Sequence, residues 1–129
     1  MTEPAPALNA LSHQVIGAAI EVHRVLGPGW LEAVYEEALC VEPTLRGVPF
    51  VRQPHVDLSY KGHVVGQGRL DLLVSDALVV ELKAVEALCA IHKAQVVSYL
   101  KTTGHRLGLL LNFNVAVLKD GIERIVLTQ

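Results

Sequence analysis

The chain has 129 residues, a formal net charge of −2 and 51% hydrophobic residues. That length supports one domain with a core of its own, and that composition excludes a disordered chain. The charge lacks the basic excess of a sequence-independent, metal-free nucleic-acid binder, but it leaves room for a hydrolase that meets nucleic acid through bound cations.

Apolar runs such as Leu107–Leu111 are far too short to span a membrane. The opening MTEPAPALNA has no basic segment followed by an apolar block, so no secretory leader and a cytoplasmic location are expected. Cys40 and Cys89 match no zinc-ligand spacing and are expected as free, buried thiols.

In chain order, residues 1–8, with Pro4 and Pro6, read as a flexible arm preceding a single domain over 9–129. Leu11, Val15, Ala18, Ala19, Val22 and Leu26 then follow helical spacing, with Asn9 or Ser12 as the cap. LGPG at 26–29 stops that helix. A second helix is predicted from about Trp30, with Leu31, Val34, Tyr35, Ala38 and Leu39 as its apolar stripe and Pro43 as a break or kink. Extended chain follows from Arg46 to Phe50. Three strands are then predicted as a meander: 55–60, 64–74 after a turn at 61–63, and 78–85 after a turn at 75–77. Residues 86–104 read as a helix ended by Gly104, and 105–113 as a buried strand. Residues 115–127 read as a closing strand pair turned at Asp120-Gly121. The order is ααβββαββ, an α/β (α+β) domain with a central mixed sheet flanked by helices.

One strand raises a question of chemistry. VVELKAV (79–85) places Glu81 and Lys83 on one face of an otherwise apolar strand, with Val80 and Leu82 on the other. Charged residues are rarely buried without a partner. Asp71 lies ten residues earlier, among Leu70, Leu72, Leu73 and Val74. If the two strands pair across the Ser75-Asp76 turn, Asp71 and Glu81 become near neighbours on one face. Two such carboxylates repel unless a proton or a cation lies between them, and Mg²⁺ suits an oxygen-rich pair of this kind. Lys83 would then reach a water or a phosphate oxygen. The plainer readings are a solvated edge strand, or Lys83 paired internally with Glu81 or Asp71. Two helices add polar residues at one-face spacing: Glu32, Tyr35 and Glu36 at i, i+3 and i+4, and Gln95 and Tyr99 at i and i+4, with His92 one turn earlier.

In this order the motifs resemble the GxxExxY family, a branch of the PD-(D/E)XK nuclease-like superfamily. Gly29-Trp30-Leu31-Glu32-Ala33-Val34-Tyr35 is similar to the naming motif. GRLDLLV (68–74) followed by VVELKAV is similar to the superfamily's acid and ExK elements, and Gln95 to Tyr99 to the QxxxY element of the RecB-type branch. LLNF (110–113) and ERIVL (123–127) also fit, so the resemblance covers about 9–127; Pro43 departs from it. The resemblance implies a restriction-endonuclease-like core and a metal-dependent nuclease acting on DNA or RNA, with Mg²⁺, or Mn²⁺ in its place. Asp71, Glu81 and the backbone carbonyl of Leu82 would be metal ligands. Lys83 would orient water or stabilise phosphate charge, and Glu32 would be the helix-borne acid, with Glu36 its rival. Gln95 and Tyr99 would position metal water or substrate backbone. The alternative is a non-catalytic or weakly catalytic module on the same fold, binding nucleic acid or protein. A homodimer, with the first helix as one candidate interface, and a protein partner that supplies specificity are further expectations.

Overall fold

The computed structural model describes residues 3–128. Helix α1 spans Pro6–Leu26 and α2 spans Glu32–Leu45. Strands β1 (Phe50–Arg52), β2 (His55–Tyr60), β3 (His63–Arg69), β4 (Leu72–Val74) and β5 (Leu78–Lys83) follow. Helix α3 (Ala90–Thr103) leads to β6 (Leu107–Asn112), a 3-10 turn at Leu118–Gly121 and β7 (Ile122–Val126).

The first helix begins three residues before the expected start. Pro6 occupies its first turn, where the missing N–H and the fixed φ cost nothing. Asn9 and Ser12 therefore lie inside the helix rather than at its cap, and Ser12 Oγ donates to the Asn9 carbonyl at 2.9 Å. Residues 1 and 2 of the expected arm lie outside the described residues. Gly27, at φ +71°, ends α1 as expected. Pro43 does not break α2, which continues through it to Leu45. It falls in the last turn, and its carbonyl takes the N–H groups of Arg46 and Val48 at 3.1 and 2.9 Å.

The five-stranded sheet runs β1-β4-β5-β6-β7, with β5 and β6 parallel and every other pair antiparallel. The expected three-strand meander divides in two. Strands β2 and β3 form a separate ribbon, while β4 and β5 belong to the main sheet. One pairing register nevertheless continues along the arms of this long hairpin from the sheet, where Arg52 opposes Leu72, into the ribbon, where His55 opposes Arg69, until a bulge between Leu58 and Ser59 shifts it. The arms bend where Gln53 adopts a left-handed φ of +55°. Across the bend Gln53 N–H donates to the Asp71 carbonyl (2.8 Å) and Leu70 N–H to the Pro54 carbonyl (3.1 Å). The expected strand 64–74 is thus interrupted at Leu70-Asp71, next to the acid of interest. Three residues, Ser75 to Ala77, connect β4 to β5; Ser75 and Asp76 are the central residues of a turn closed by the Ala77 N–H on the Val74 carbonyl at 3.0 Å, and both adopt the positive φ that such a turn requires.

At the C-terminal end, residues 115–117 form no strand, and the expected closing pair is the 3-10 turn followed by β7, which pairs with β6. Helix α3 starts at Ala90 rather than Glu86. Cys89 is its N-cap, with His92 Nδ1 accepting the Cys89 N–H at 3.2 Å. Both cysteines are free; Cys40 is half-buried, but Cys89 is exposed, not buried as expected.

The sheet is covered on both faces. Leu78, Val80 and Leu82 of β5 pack with Val15, Ala18, Ala19 and Val22 of α1 and Tyr35 and Leu39 of α2. The α1 stripe is therefore core and not an interface. Val79 packs on the opposite face with Val96 and Leu100 of α3. There Gly108 admits the helix: a Cβ on it would stand 2.7 Å from Val96 Cγ1. Tyr35 and Leu39 turn inward, whereas Leu31 and Val34, expected on the same stripe, face solvent at 79% and 38% exposure.

Candidate active site

The charged strand is the middle strand of the sheet, so Glu81 does not lie on a solvated edge. Glu81 is 4% exposed, between core residues Val80 and Leu82. The β4–β5 register pairs Leu72 with Val80 and brings Asp71 beside Glu81. Glu81 Oε2 accepts the Asp71 N–H at 2.7 Å, and Asp71 Oδ2 accepts the Leu82 N–H at 2.8 Å. Each acid is thus clamped by the main chain of the other's segment. Asp71 Oδ1 and Glu81 Oε1 accept no hydrogen bond among the described residues, and neither is a buried orphan. These two oxygens are the free valences of the pair.

The electrostatics express crowding. Burial, followed by the Asp71 charge, pushes the Glu81 carboxyl up to about 8, against the relief given by the Asp71 N–H and Lys83. Burial likewise raises Asp71, despite the Leu82 N–H. Glu32, in the first turn of α2, is raised by burial and then by Asp71, with Lys83 acting to lower it. Three acids from α2, the β3–β4 bend and β5 therefore share one field with Lys83. Among the described residues Lys83 forms no ion pair, so internal pairing with Glu81 or Asp71 is not what neutralises them.

The rivals on α2 separate by partner. Glu36 is buried, and its Oε2 accepts from Arg52 Nε and Gln53 Nε2, both at 2.7 Å. Arg52 also reaches Glu37 at 2.9 Å. Glu36 thus ties α2 to the hairpin bend, whereas Glu32 has no such partner among the described residues. Tyr35 of the GxxExxY match is structural: it is fully buried and stacks on Phe113 at 4.7 Å. Its hydroxyl donates to the Gly27 carbonyl (2.6 Å) and accepts the Trp30 N–H (3.2 Å), which fixes the turn leading to Glu32.

On α3, Tyr99 packs against Gly68, where a Cβ would stand 3.0 Å from its ring. Tyr99, His55, Gln67, Gly68 and Arg69 line a shallow cleft of about 510 Å³ beside the Asp71 bend. Gln95 is exposed one turn earlier on α3 and bonds to none of the acids. His92 is occupied as a helix cap.

Three positioning residues escaped the sequence reading. Arg52 and Gln53 hold Glu36, and Gln53 forms the bend. Buried Asn112 clamps the chain after Lys83, donating to the Val85 carbonyl (2.9 Å) and accepting its N–H (3.1 Å). The signal available for Asn112 was akin to the one that marked Glu81: a polar residue ending an otherwise apolar, fully buried strand and followed by Phe113.

Among the described residues, no three Asp, Glu, His or Cys side chains converge on one point. The donor set that the structure brings together is the two carboxylates of Asp71 and Glu81. This fits a hard cation such as Mg²⁺, which takes one or two carboxylates and leaves its other positions to water and substrate phosphate.

A mixed sheet between helices, with an acid at a strand bend and an ExK strand beside it, defines a restriction-endonuclease-like core. Residues 9–125 match the PD-(D/E)XK nuclease superfamily, and the chain belongs to that superfamily. The crystal structure of SSO0001 shares the fold, with a TM-score of 0.52 and 20% sequence identity over 75% of this chain and 49% of that one. The chain thus spans about half the length of that solved protein. No curated protein sequence matches. Among the described residues, no helix is long and apolar enough to cross a membrane.

Proposed function

We propose that this protein is a divalent-cation-dependent nuclease of the GxxExxY branch, hydrolysing phosphodiester bonds in DNA or RNA. The observation that carries this reading is the Asp71–Glu81 pair: two crowded carboxyls, each fixed by one oxygen and each with the other oxygen free. Asp71, Glu81 and the Leu82 carbonyl would hold Mg²⁺, or Mn²⁺ in its place, with Glu32 as the acid added from α2. A cation there supplies charge neutralisation, Lewis acidity toward the phosphoryl oxygens and a lower proton affinity for water.

The chain's own residues supply the rest. Lys83, without an ion-pair partner among the described residues and on the face of Glu81, stabilises charge that develops on a non-bridging phosphate oxygen. Glu32, its proton affinity raised by burial and by the Asp71 charge, orients the attacking water and exchanges its proton. Arg69, His55 and Tyr99 line the cleft beside the bend and bind the sugar-phosphate backbone, with Gln95 extending that surface along α3. Arg52 and Gln53 act indirectly, by holding Glu36 and the bend in place.

The test is cleavage of single- and double-stranded DNA and RNA with Mg²⁺, Mn²⁺ or EDTA, by the native chain and by Glu81→Ala. The expected result is cleavage only with metal and only by the native chain. Metal binding without cleavage of any substrate would replace this reading with that of a binding module on the same fold.

A further inference from the structure

Helix α2 carries two apolar stripes. One, with Tyr35 and Leu39, is core. The other consists of Leu31 at the N-cap, then Val34, Ala38, Val41 and Leu45, at intervals of three, four, three and four residues. That 3-4 alternation is the spacing of a helix-pairing seam. The seam faces outward: Leu31 is 79% exposed, Val34 38%, Val41 55% and Leu45 75%, with Ala38 half-buried. Val25 of α1, 65% exposed, borders it across a groove that Ala38 and Val41 also line.

The order of residues along the seam identifies the partner. Leu, Val, Ala, Val, Leu reads the same in both directions. If a second copy of α2 lies antiparallel across it, Ala38 meets Ala38 at the crossing, where a small side chain lets the two helices approach, Leu31 meets Leu45 seven residues to either side, and Val34 and Val41, four and three residues from Ala38, meet one residue (about 1.5 Å) out of step. A two-fold interface needs this self-complementarity, since each patch must be its own partner. We propose that the protein forms a homodimer through antiparallel pairing of α2 about Ala38, with the two copies of Glu32, and so of the candidate site, at opposite ends of the paired helices.

The area sets the strength. At on the order of 100 Å² of apolar surface per Val or Leu side chain, the exposed fractions give about 300 Å² per copy. With a little over half of an ordinary interface apolar, the total is roughly 1,100 Å² for the pair, the low end for a specific contact. The dimer is therefore weak and concentration-dependent.

Sedimentation of the full chain from micromolar to millimolar concentration tests this. The expected mass rises from 14.0 kDa toward twice that value, and Val41→Lys, at an exposed position that should leave melting unchanged, abolishes the rise. Orientation is read by mild oxidation in a background of Cys40→Ala and Cys89→Ala. Ala38→Cys should cross-link to itself, whereas Leu31→Cys should cross-link to Leu45→Cys but not to itself. A monomer at every concentration, a dimer indifferent to Val41→Lys, or self-cross-linking of Leu31→Cys would each overturn the proposal.

Discussion

Replacing Glu81 by Gln should stabilise the metal-free protein at neutral and alkaline pH. In the fold the Glu81 carboxyl titrates near 8, against an ordinary value of 4.5, because it is buried and faces Asp71. A raised carboxyl means that the native state holds a proton which the unfolded chain has released. Stability is therefore unaffected by this group below about pH 4.5, falls as pH rises through the window from 4.5 to 8, and levels off above it. At about 1.4 kcal/mol per pH unit, the full window corresponds to at most on the order of 5 kcal/mol. That is a large share of the roughly 5–15 kcal/mol a small domain has. Asp71 and Glu32 are raised too and add to the same slope. Gln keeps an oxygen to accept the Asp71 N–H and carries no charge. Urea unfolding in EDTA at steps between pH 5 and 9 should show native stability falling by several kcal/mol, with Glu81→Gln much flatter and the more stable of the two at pH 8. Parallel curves for the two proteins would refute the crowding argument.

Removing the guanidinium in Arg52→Ala would leave buried Glu36 with only Gln53, and a lower urea midpoint is expected, the loss moderated because Arg52 itself is exposed to solvent that screens the pair. Tyr35→Phe keeps the stack on Phe113 but deletes a hydroxyl that serves two backbone groups; thermal unfolding should report a cost of about 1–2 kcal/mol with metal affinity nearly unchanged. Gly108→Ala forces a methyl onto Val96 and should cost about 1–3 kcal/mol, relieved in part by Val96→Ala in a double-mutant cycle.

What the sequence disclosed and what it hid divide along a physical line. Charges inside an apolar run are visible as local violations of patterning, so Asp71, Glu81 and Lys83 stood out, and one three-residue turn was enough to bring the first two together. The helices were legible from periodicity and from Gly27 and Gly104. What depended on distant contacts was not. The Glu36 bond to Arg52 and Gln53 spans 16 and 17 residues, and only that bond separates Glu36 from Glu32. The bend at Gln53 is a left-handed residue that is not glycine, so composition gave no sign that one ladder would be divided between two sheets. The two stripes of α2 merged into one because Leu31, Val34, Tyr35, Ala38 and Leu39 all satisfy helical spacing; only packing against Phe113 decides which of them turn inward. Pro43 was over-read as a break because a proline in a final turn forfeits little.

The crowding of Asp71 and Glu81 has a use only if the pair holds a divalent cation. Calorimetric titration of Mn²⁺ into the metal-free protein near pH 7, repeated in buffers of different ionisation enthalpy, tests it most directly, because it counts protons as well as ions. Saturable binding with release of about one proton, chiefly from Glu81, and loss of both signals in Asp71→Asn with Glu81→Gln are expected. Binding that survives the double substitution, or no binding at millimolar Mn²⁺, would contradict it.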